Sequence, residues 1–123
     1  MKERKAKVLL IDDEESFTKV TQLTLSDYDI RVENDSARAV TTAKAFRPDL
    51  VLLDVMMPNL DGGDVAAQMR ADPELKDVPV VFLTALVTAK ESALRPVMGG
   101  YPFIAKPIAP ERLAEQIEKF LAA

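Results

Sequence analysis

Four short apolar runs of the sequence are each followed by residues that could take part in chemistry, namely Asp12, Asp13, Asp54, Thr84 and Lys106. Carboxylates that converge in one pocket repel each other, so they either acquire a raised pKa or bind a cation. Oxygen ligands favour Mg²⁺, which binds one or two carboxylates, keeps several waters and accepts a phosphate oxygen. With a lysine charge and a threonine hydroxyl nearby, such a site suits phosphoryl transfer, in which a carboxylate can be the nucleophile.

The elements that must position these residues begin with five apolar runs, which predict β-strands. The runs cover residues 8–11, 30–32, 50–53, 80–83 and 103–105. Four of them are continuously or almost continuously apolar, which is typical of strands that are covered on both faces in a parallel sheet. The run at 30–32 alternates between apolar and polar residues and therefore suits an edge strand.

Apolar residues at helical spacing between these runs predict helices. The clearest pattern is the last one, with Pro110-Glu111 in its first turn and the apolar positions Leu113, Ile117, Phe120 and Leu121. The three earlier patterns place at helical spacing Phe17, Val20, Thr21, Thr24 and Leu25, then Val40, Ala43 and Phe46, then Val65, Ala66 and Met69. A further helix is predicted over 88–98, with Pro96 bending or shortening its end.

Strand and helix alternate five times, which predicts an α/β fold with one doubly wound, five-stranded parallel sheet and helices on both faces. We expect a single domain over residues 1–123, with its core at about 6–122. In the strand order 2-1-3-4-5, the order reverses between the first and third strands, where open α/β sheets bind ligands. If the sheet has this order, we expect the three aspartates to converge at that point.

Composition excludes several classes of function. The chain has 123 residues, no Cys and no His, which excludes disulfide scaffolds, Cys/His zinc sites, thiol nucleophiles, Ser-His-Asp triads and phosphohistidine on this chain. The 16 basic and 20 acidic side chains give a net charge of −4, which argues against a basic surface that grips nucleic acid. No apolar run approaches the length that crosses a bilayer, and the charged start lacks a signal peptide, so we expect a cytoplasmic protein.

Each candidate residue also has a simpler interpretation. Asp13 could cap the helix that follows it, and Asp61 before Gly62 suits a turn or a helix cap. Lys106 alone could be a solvated loop lysine, and Thr84 an ordinary residue at a strand end. Their shared placement at the carboxyl ends of predicted strands favours a common site.

The segment 50–62, LVLLDVMMPNLDG, resembles the D-x-x-M-P-x-x-D-G core of the receiver domains of two-component response regulators. The same resemblance extends to three further motifs, Asp12-Asp13, Thr84-Ala85 and Lys106-Pro107. It spans about residues 7–121 and implies the flavodoxin-like fold of receiver domains. No single motif is diagnostic, but the ordered set is specific.

The resemblance implies that Asp54 is the phosphoacceptor. Its donor would be a phosphohistidine on a histidine kinase or a histidine phosphotransfer protein. Asp13 and Asp54 would bind Mg²⁺ directly and Asp12 through water, while the backbone carbonyl of Met56 would complete the protein ligands.

The resemblance also implies a switch. Thr84 would bind the phosphoryl oxygen and move toward it, Lys106 would pair with the phosphoryl group, and the bond to Pro107 would be cis. Phe103 matches the switch aromatic, whose ring would fill the space that the threonine vacates. The expected result is a changed surface on the fourth predicted helix, the fifth strand and the last helix.

The resemblance also implies that the apolar residues Met56 and Leu86, two positions beyond Asp54 and Thr84, flank the path of a hydrolytic water. Because neither side chain orients that water, we expect them to modulate dephosphorylation and to prolong the life of the phosphoryl group. The segment 99–102, Gly-Gly-Tyr-Pro, departs from the family pattern, so no partner surface on the fourth helix is carried over.

Several alternatives remain open. In the leading interpretation the chain is a switch with a self-catalysed phosphoryl transfer and slow autodephosphorylation, rather than an enzyme. Alternatively, it could be a docking module that works unphosphorylated, or a phosphorelay intermediate. An FMN-binding electron-transfer domain shares the topology, but the acidic segment 12–15 would repel its phosphate. Beyond the phosphohistidine donor and an unknown downstream protein, we expect no nucleic acid or membrane contact, and either a monomer or a phosphorylation-dependent dimer.

Overall fold

The computed structural model describes residues 5–55, 62–84, 97–98, 101–106 and 108–122, with the backbone alone for Thr84, Val97 and Met98. The strands are β1 (Lys7–Ile11), β2 (Asp29–Glu33), β3 (Leu50–Asp54), β4 (Val80–Thr84), β5 (Val97–Met98) and β6 (Tyr101–Ala105). The helices are α1 (Glu15–Thr24), α2 (Ala39–Phe46), α3 (Gly62–Ala71) and α4 (Pro110–Ala122), with a 3-10 turn over Ser36–Arg38. None of the helices in the described ranges is long and apolar enough to span a bilayer.

The sheet has the strand order β2-β1-β3-β4-β6-β5. Every pairing among β1, β2, β3, β4 and β6 is parallel. Since β6 is the fifth predicted strand, the predicted parallel order 2-1-3-4-5 is confirmed.

The short strand β5 was not predicted. It pairs antiparallel with β6, with Val97 opposite Pro102 and Met98 opposite Tyr101. The predicted helix over 88–98 is therefore wrong at its last two residues, and 85–96 lie outside the described residues. A two-residue strand is too short to show a periodicity, although Gly99-Gly100 in the sequence suits a hairpin turn.

The core covers both faces of the sheet. Alternate residues of β3 divide between the two faces, with Val51 and Leu53 on one side and Leu50 and Leu52 on the other. Helices α2 and α3 pack on the first face, while α4 packs on the second through Leu113 and Ile117, as do Leu25 and Phe17 from the α1 region. This two-sided cover explains the continuous apolar runs.

Helix α1 packs mainly through the predicted face, since Thr21 and Leu25 are buried and Phe17 packs against the core, but the predicted positions Val20 and Thr24 are exposed. The side chain of Val20 is 53% exposed. Leu23, which was not among the predicted positions, is 73% exposed. Thr18, which was not predicted to be buried, is buried together with Thr21, and their hydroxyls donate to the backbone carbonyls of Glu15 at 3.0 Å and Phe17 at 2.8 Å, respectively. Because these local bonds satisfy the hydroxyls, the threonines can be buried at little cost.

The hydroxyl of Tyr28 connects the turn after α1 to α4 by donating to the carboxylate of Glu118. Burial, this hydrogen bond and the nearby carboxylates raise the pKa of Tyr28 from 10.0 to about 12. We expect Tyr28→Phe to lower the free energy of unfolding by about 1 kcal/mol at neutral pH. A pKa that is higher in the folded than in the unfolded state stabilises the folded state at pH values below the unfolded pKa. The stabilisation from Tyr28 is therefore complete below pH 10 and lost as the pH rises through about 12.

Urea unfolding of both proteins from neutral pH to pH 12 measures this difference. The free energies of the two proteins should converge over the last two pH units. A constant difference across the range would contradict the assignment.

Candidate functional site

Parallel pairing brings the predicted residues to one edge of the sheet. Ile11 pairs with Leu53 across β1 and β3, so Asp12 and Asp54 are the next residues on adjacent strands. Thr84 pairs with Ala105 across β4 and β6, so Lys106 follows at the same edge. This is the carboxyl edge at which the sequence predicted a site.

Three carboxylates meet at this edge. One oxygen from each of Asp12, Asp13 and Asp54 lies within 4.8 Å of the others. Asp12 is fully buried and Asp54 is 6% exposed, while Asp13 is exposed. Oxygen donors at this spacing fit a hard divalent cation, because like charges this close need a counter-charge.

The simpler interpretation of Asp13 as a helix cap is wrong. The N-cap residue of α1 is Glu14, and its side chain makes no capping hydrogen bond. Instead, the backbone N–H of Glu14 donates to Oδ1 of Asp12 at 2.9 Å. Asp13 thus contributes to the acidic cluster rather than to the start of the helix.

Lys106 supplies the positive charge of the site. Its side chain extends back from the end of β6, so that Nζ lies 2.6 Å from Oδ2 of Asp12 and 3.8 Å from Oδ2 of Asp54. It also lies 3.4 Å from Oε1 of Glu14. The side chain is only 11% exposed, so the interpretation as a solvated loop lysine is wrong.

The charge on Lys106 is stabilised by these carboxylates. Burial on its own lowers the pKa of an ammonium group, but the hydrogen bond to Asp12 and the charges of Asp12, Asp54 and Glu14 outweigh it. The pKa of Lys106 therefore lies above its usual value. At neutral pH the site contains a fixed cation next to its carboxylates.

Three residues of the site were missed from the sequence. The Asn34 side chain, after β2, donates to the carbonyl oxygen of Asp12 at 2.7 Å and to Oγ1 of Thr18 at 3.2 Å. Glu14 contacts Lys106, and the ring centroid of Phe17 lies 4.6 Å from its ammonium nitrogen. For Asn34 no sequence signal exists, whereas Glu14 and Phe17 could have been suggested by their proximity to Asp12-Asp13.

Gly62 packs the start of α3 against the chain that leaves β3. Its N–H donates to the carbonyl of Val55 at 2.9 Å. A Cβ at this position would lie 2.6 Å from the carbonyl oxygen of Asp54 and 2.7 Å from Cα of Val55. Only glycine allows this approach beside the acidic cluster.

Phe103 is 6% exposed and lies in the core cluster on the α2 and α3 face of the sheet. The predicted residues Met56, Leu86 and Pro107 lie outside the described residues, as does the side chain of Thr84.

Chemically, the arrangement combines a nearly buried carboxylate, two further acids and a lysine cation. Such a pocket attracts a divalent cation together with an oxyanion, because the metal cation and the lysine offset the negative charges of the carboxylates and of the oxyanion. The nearly buried carboxylate of Asp54 then has an electrophile within reach. A phosphoryl group fits this description.

Comparison with protein families gives one match over most of the chain. The family model described as "Response regulator receiver domain" matches residues 8–118. Among related sequences, the "Probable transcriptional regulator ycf27" of Porphyridium aerugineum is 36% identical over 96% of this chain. The "DNA-binding response regulator MtrA" of Mycolicibacterium paratuberculosis is 34% identical over 90% of this chain. In both cases the alignment covers 49% of the relative, so the chain spans about half the length of these proteins.

Solved structures agree with this match. The Vibrio cholerae chemotaxis protein CheY4 superimposes with a TM-score of 0.80 at 27% identity, covering 94% of this chain and 98% of its own. A response regulator from Desulfuromonas acetoxidans also gives a TM-score of 0.80, at 28% identity, covering 95% of this chain and 97% of its own.

Proposed function

The chain belongs to the response regulator receiver domain family, and from that premise we propose that it is a phosphorylation-controlled switch with Asp54 as its phosphoacceptor. The observation that carries the proposal is the cluster of Asp12, Asp13 and Asp54 with the Lys106 ammonium among them. Residues 1–123 would act as a single receiver domain, with its core at about 6–122.

In the proposed reaction, a carboxylate oxygen of Asp54 attacks the phosphorus of a phosphohistidine. The new O–P bond forms as the P–N bond breaks, and the imidazole nitrogen leaves with the electron pair of that bond. Asp54 suits this role because it ends the central strand β3 and is 6% exposed, so only a phosphoryl group presented at the sheet edge can reach it. The chain accepts one group per cycle and is not a turnover enzyme.

The acidic cluster would hold Mg²⁺. Its donors are carboxylate oxygens, which suit this hard cation, and Asp12, Asp13 and Asp54 fit the requirement with oxygens within 4.8 Å of one another. The backbone carbonyl of Met56 is proposed as a further ligand. When bound, the cation supplies positive charge that offsets the negative charge of the phosphoryl oxygens.

Lys106 would pair with the arriving phosphoryl group. Its ammonium is already 3.8 Å from Oδ2 of Asp54, so a short movement of a long side chain brings it to a phosphoryl oxygen. The Thr84 hydroxyl and the Phe103 ring would then transmit the change to the surface formed by β6, α4 and the segment before β5. A cis bond at Pro107 would orient the loop after the lysine.

A phosphohistidine donor would lie outside residues 1–123, because this chain contains no histidine. We propose a histidine kinase or a histidine phosphotransfer protein. The exposed side chains of Val20 and Leu23 on α1 support a protein donor, since that helix begins beside the acidic cluster and exposed large apolar side chains favour protein contacts. A downstream partner would read the phosphorylated form.

Incubation with acetyl phosphate tests the proposal without a protein donor. With Mg²⁺ present, intact mass spectrometry should show the gain of one phosphoryl group, and chelation of the metal should prevent it. A chain that gains no phosphoryl group with Mg²⁺ would support the alternative of an unphosphorylated docking module.

We expect the phosphoryl group on Asp54 to be long-lived because Met56 and Leu86 are apolar and do not orient a hydrolytic water. In the double variant Met56→Asn with Leu86→Glu, polar groups would bind that water and accelerate dephosphorylation by about tenfold. The decay of the phosphorylated mass in Mg²⁺ measures both rates. An unchanged or slower decay in the double variant would refute this role.

A further inference from the structure

The aromatic ring of Phe17 faces the ammonium group of Lys106. Nζ lies 4.6 Å from the ring centroid, within the range of a cation–π interaction. Phe17 is in the first turn of α1 and packs against the core cluster that includes Leu113 and Ile117 of α4. The core therefore holds the ring in place beside the lysine.

Two of the three carboxylates around Lys106 belong to the proposed Mg²⁺ site. A cation on Asp12 and Asp54 would compete with the ammonium for their oxygens, and it would weaken the 2.6 Å contact with Asp12. Among the described residues, the contacts with Glu14 and Phe17 remain. Glu14 is 60% exposed, so solvent weakens its attraction and its side chain can move away.

We propose that Phe17 is a positioning residue that keeps the Lys106 ammonium at the pocket when a divalent cation occupies the carboxylates. Because the ring has no net charge, it can orient the ammonium without repelling a phosphoryl oxygen. The carboxylate of Glu14, by contrast, repels such an oxygen. The lysine is then ready to pair with the phosphoryl group when that group arrives. This inference rests on the proposed function of Asp54 and Lys106.

NMR tests the contact independently of phosphorylation. A ring beside the lysine shifts the signals of its ε-methylene group upfield, and this shift should persist when Mg²⁺ is added. Phe17→Tyr retains the ring and should preserve the shift, whereas Phe17→Leu should abolish it. The absence of an upfield shift in the Mg²⁺-loaded wild-type chain would overturn the proposal.

Phosphorylation by acetyl phosphate tests the consequence. The rate should fall about fivefold in Phe17→Leu and return to the wild-type rate in Phe17→Tyr. Phe120→Leu is the matched control, because Phe120 packs against the same core cluster but is not among the contacts of Lys106. Phe120→Leu should lower the thermal stability about as much as Phe17→Leu does, but it should keep the wild-type phosphorylation rate.

The outcomes separate this inference from the proposed function. Equal rates in Phe17→Leu and the wild type, or equal losses in Phe17→Leu and Phe120→Leu, would overturn the positioning role. If the wild-type chain takes up no phosphoryl group, the proposed function fails. The NMR measurement then decides whether Phe17 holds the lysine.

Discussion

Replacement of Asp54 by Asn is expected to abolish phosphorylation of the chain by acetyl phosphate in Mg²⁺. An amide lacks the negative charge that makes a carboxylate oxygen nucleophilic, and it is a poorer ligand for a divalent cation. The fold should persist, because Asn has nearly the shape of Asp and removes one charge from a cluster of like charges. Intact mass spectrometry measures the phosphoryl gain, and circular dichroism and thermal unfolding measure the fold.

Asp77→Asn is the matched control for this substitution. Asp77 is exposed in the turn after α3 and lies outside the acidic cluster. This variant should gain one phosphoryl group at the wild-type rate. A gain in Asp54→Asn equal to that in Asp77→Asn would assign the phosphoryl group to another residue.

Replacement of Gly62 by Ala is expected to lower the free energy of unfolding by about 1 to 3 kcal/mol. The added Cβ would lie 2.6 Å from the carbonyl oxygen of Asp54 and 2.7 Å from Cα of Val55. Both contacts are with backbone atoms, so no flexible side chain can move aside and α3 must shift away from the end of β3. Since this shift acts on the backbone of Asp54, the proposed phosphoacceptor, phosphorylation should also slow by about tenfold.

Gly63→Ala isolates the effect of that contact. Gly63 is the next residue of α3 and is exposed. Alanine should there raise the free energy of unfolding by up to about 1 kcal/mol, because it favours the helix more than glycine does. In urea unfolding, the two neighbouring substitutions should therefore change the free energy of unfolding in opposite directions. Stabilisation by Gly62→Ala would show that the close approach does not constrain the chain.

The strands could be predicted because their signals are local, and their order because alternating strands and helices favour a doubly wound sheet. The run at 50–53 is continuously apolar, and it forms the fully buried strand β3 in the centre of the sheet. The faces of the helices were less predictable. Val20 fits the predicted stripe on α1 yet is exposed, whereas Thr18 lies outside that stripe yet is buried, with its hydroxyl bonded within the helix itself.

Residue types and their positions along the chain were sufficient to locate the candidate site. Asp12, Asp54 and Lys106 each follow an apolar run directly, and a parallel sheet brings the carboxyl ends of all such runs to one edge. The convergence therefore follows from topology, without knowledge of any side-chain contact.

The contacts inside the site depended on tertiary structure. Lys106 and Asp12 are 94 positions apart, and the strand register and the path of the lysine side chain decide that they meet at 2.6 Å. The same packing brings Asn34 to the carbonyl of Asp12 and the ring of Phe17 to the lysine ammonium. Contacts between distant segments form only when the sheet and both helical layers close together, because no local preference of the chain specifies them.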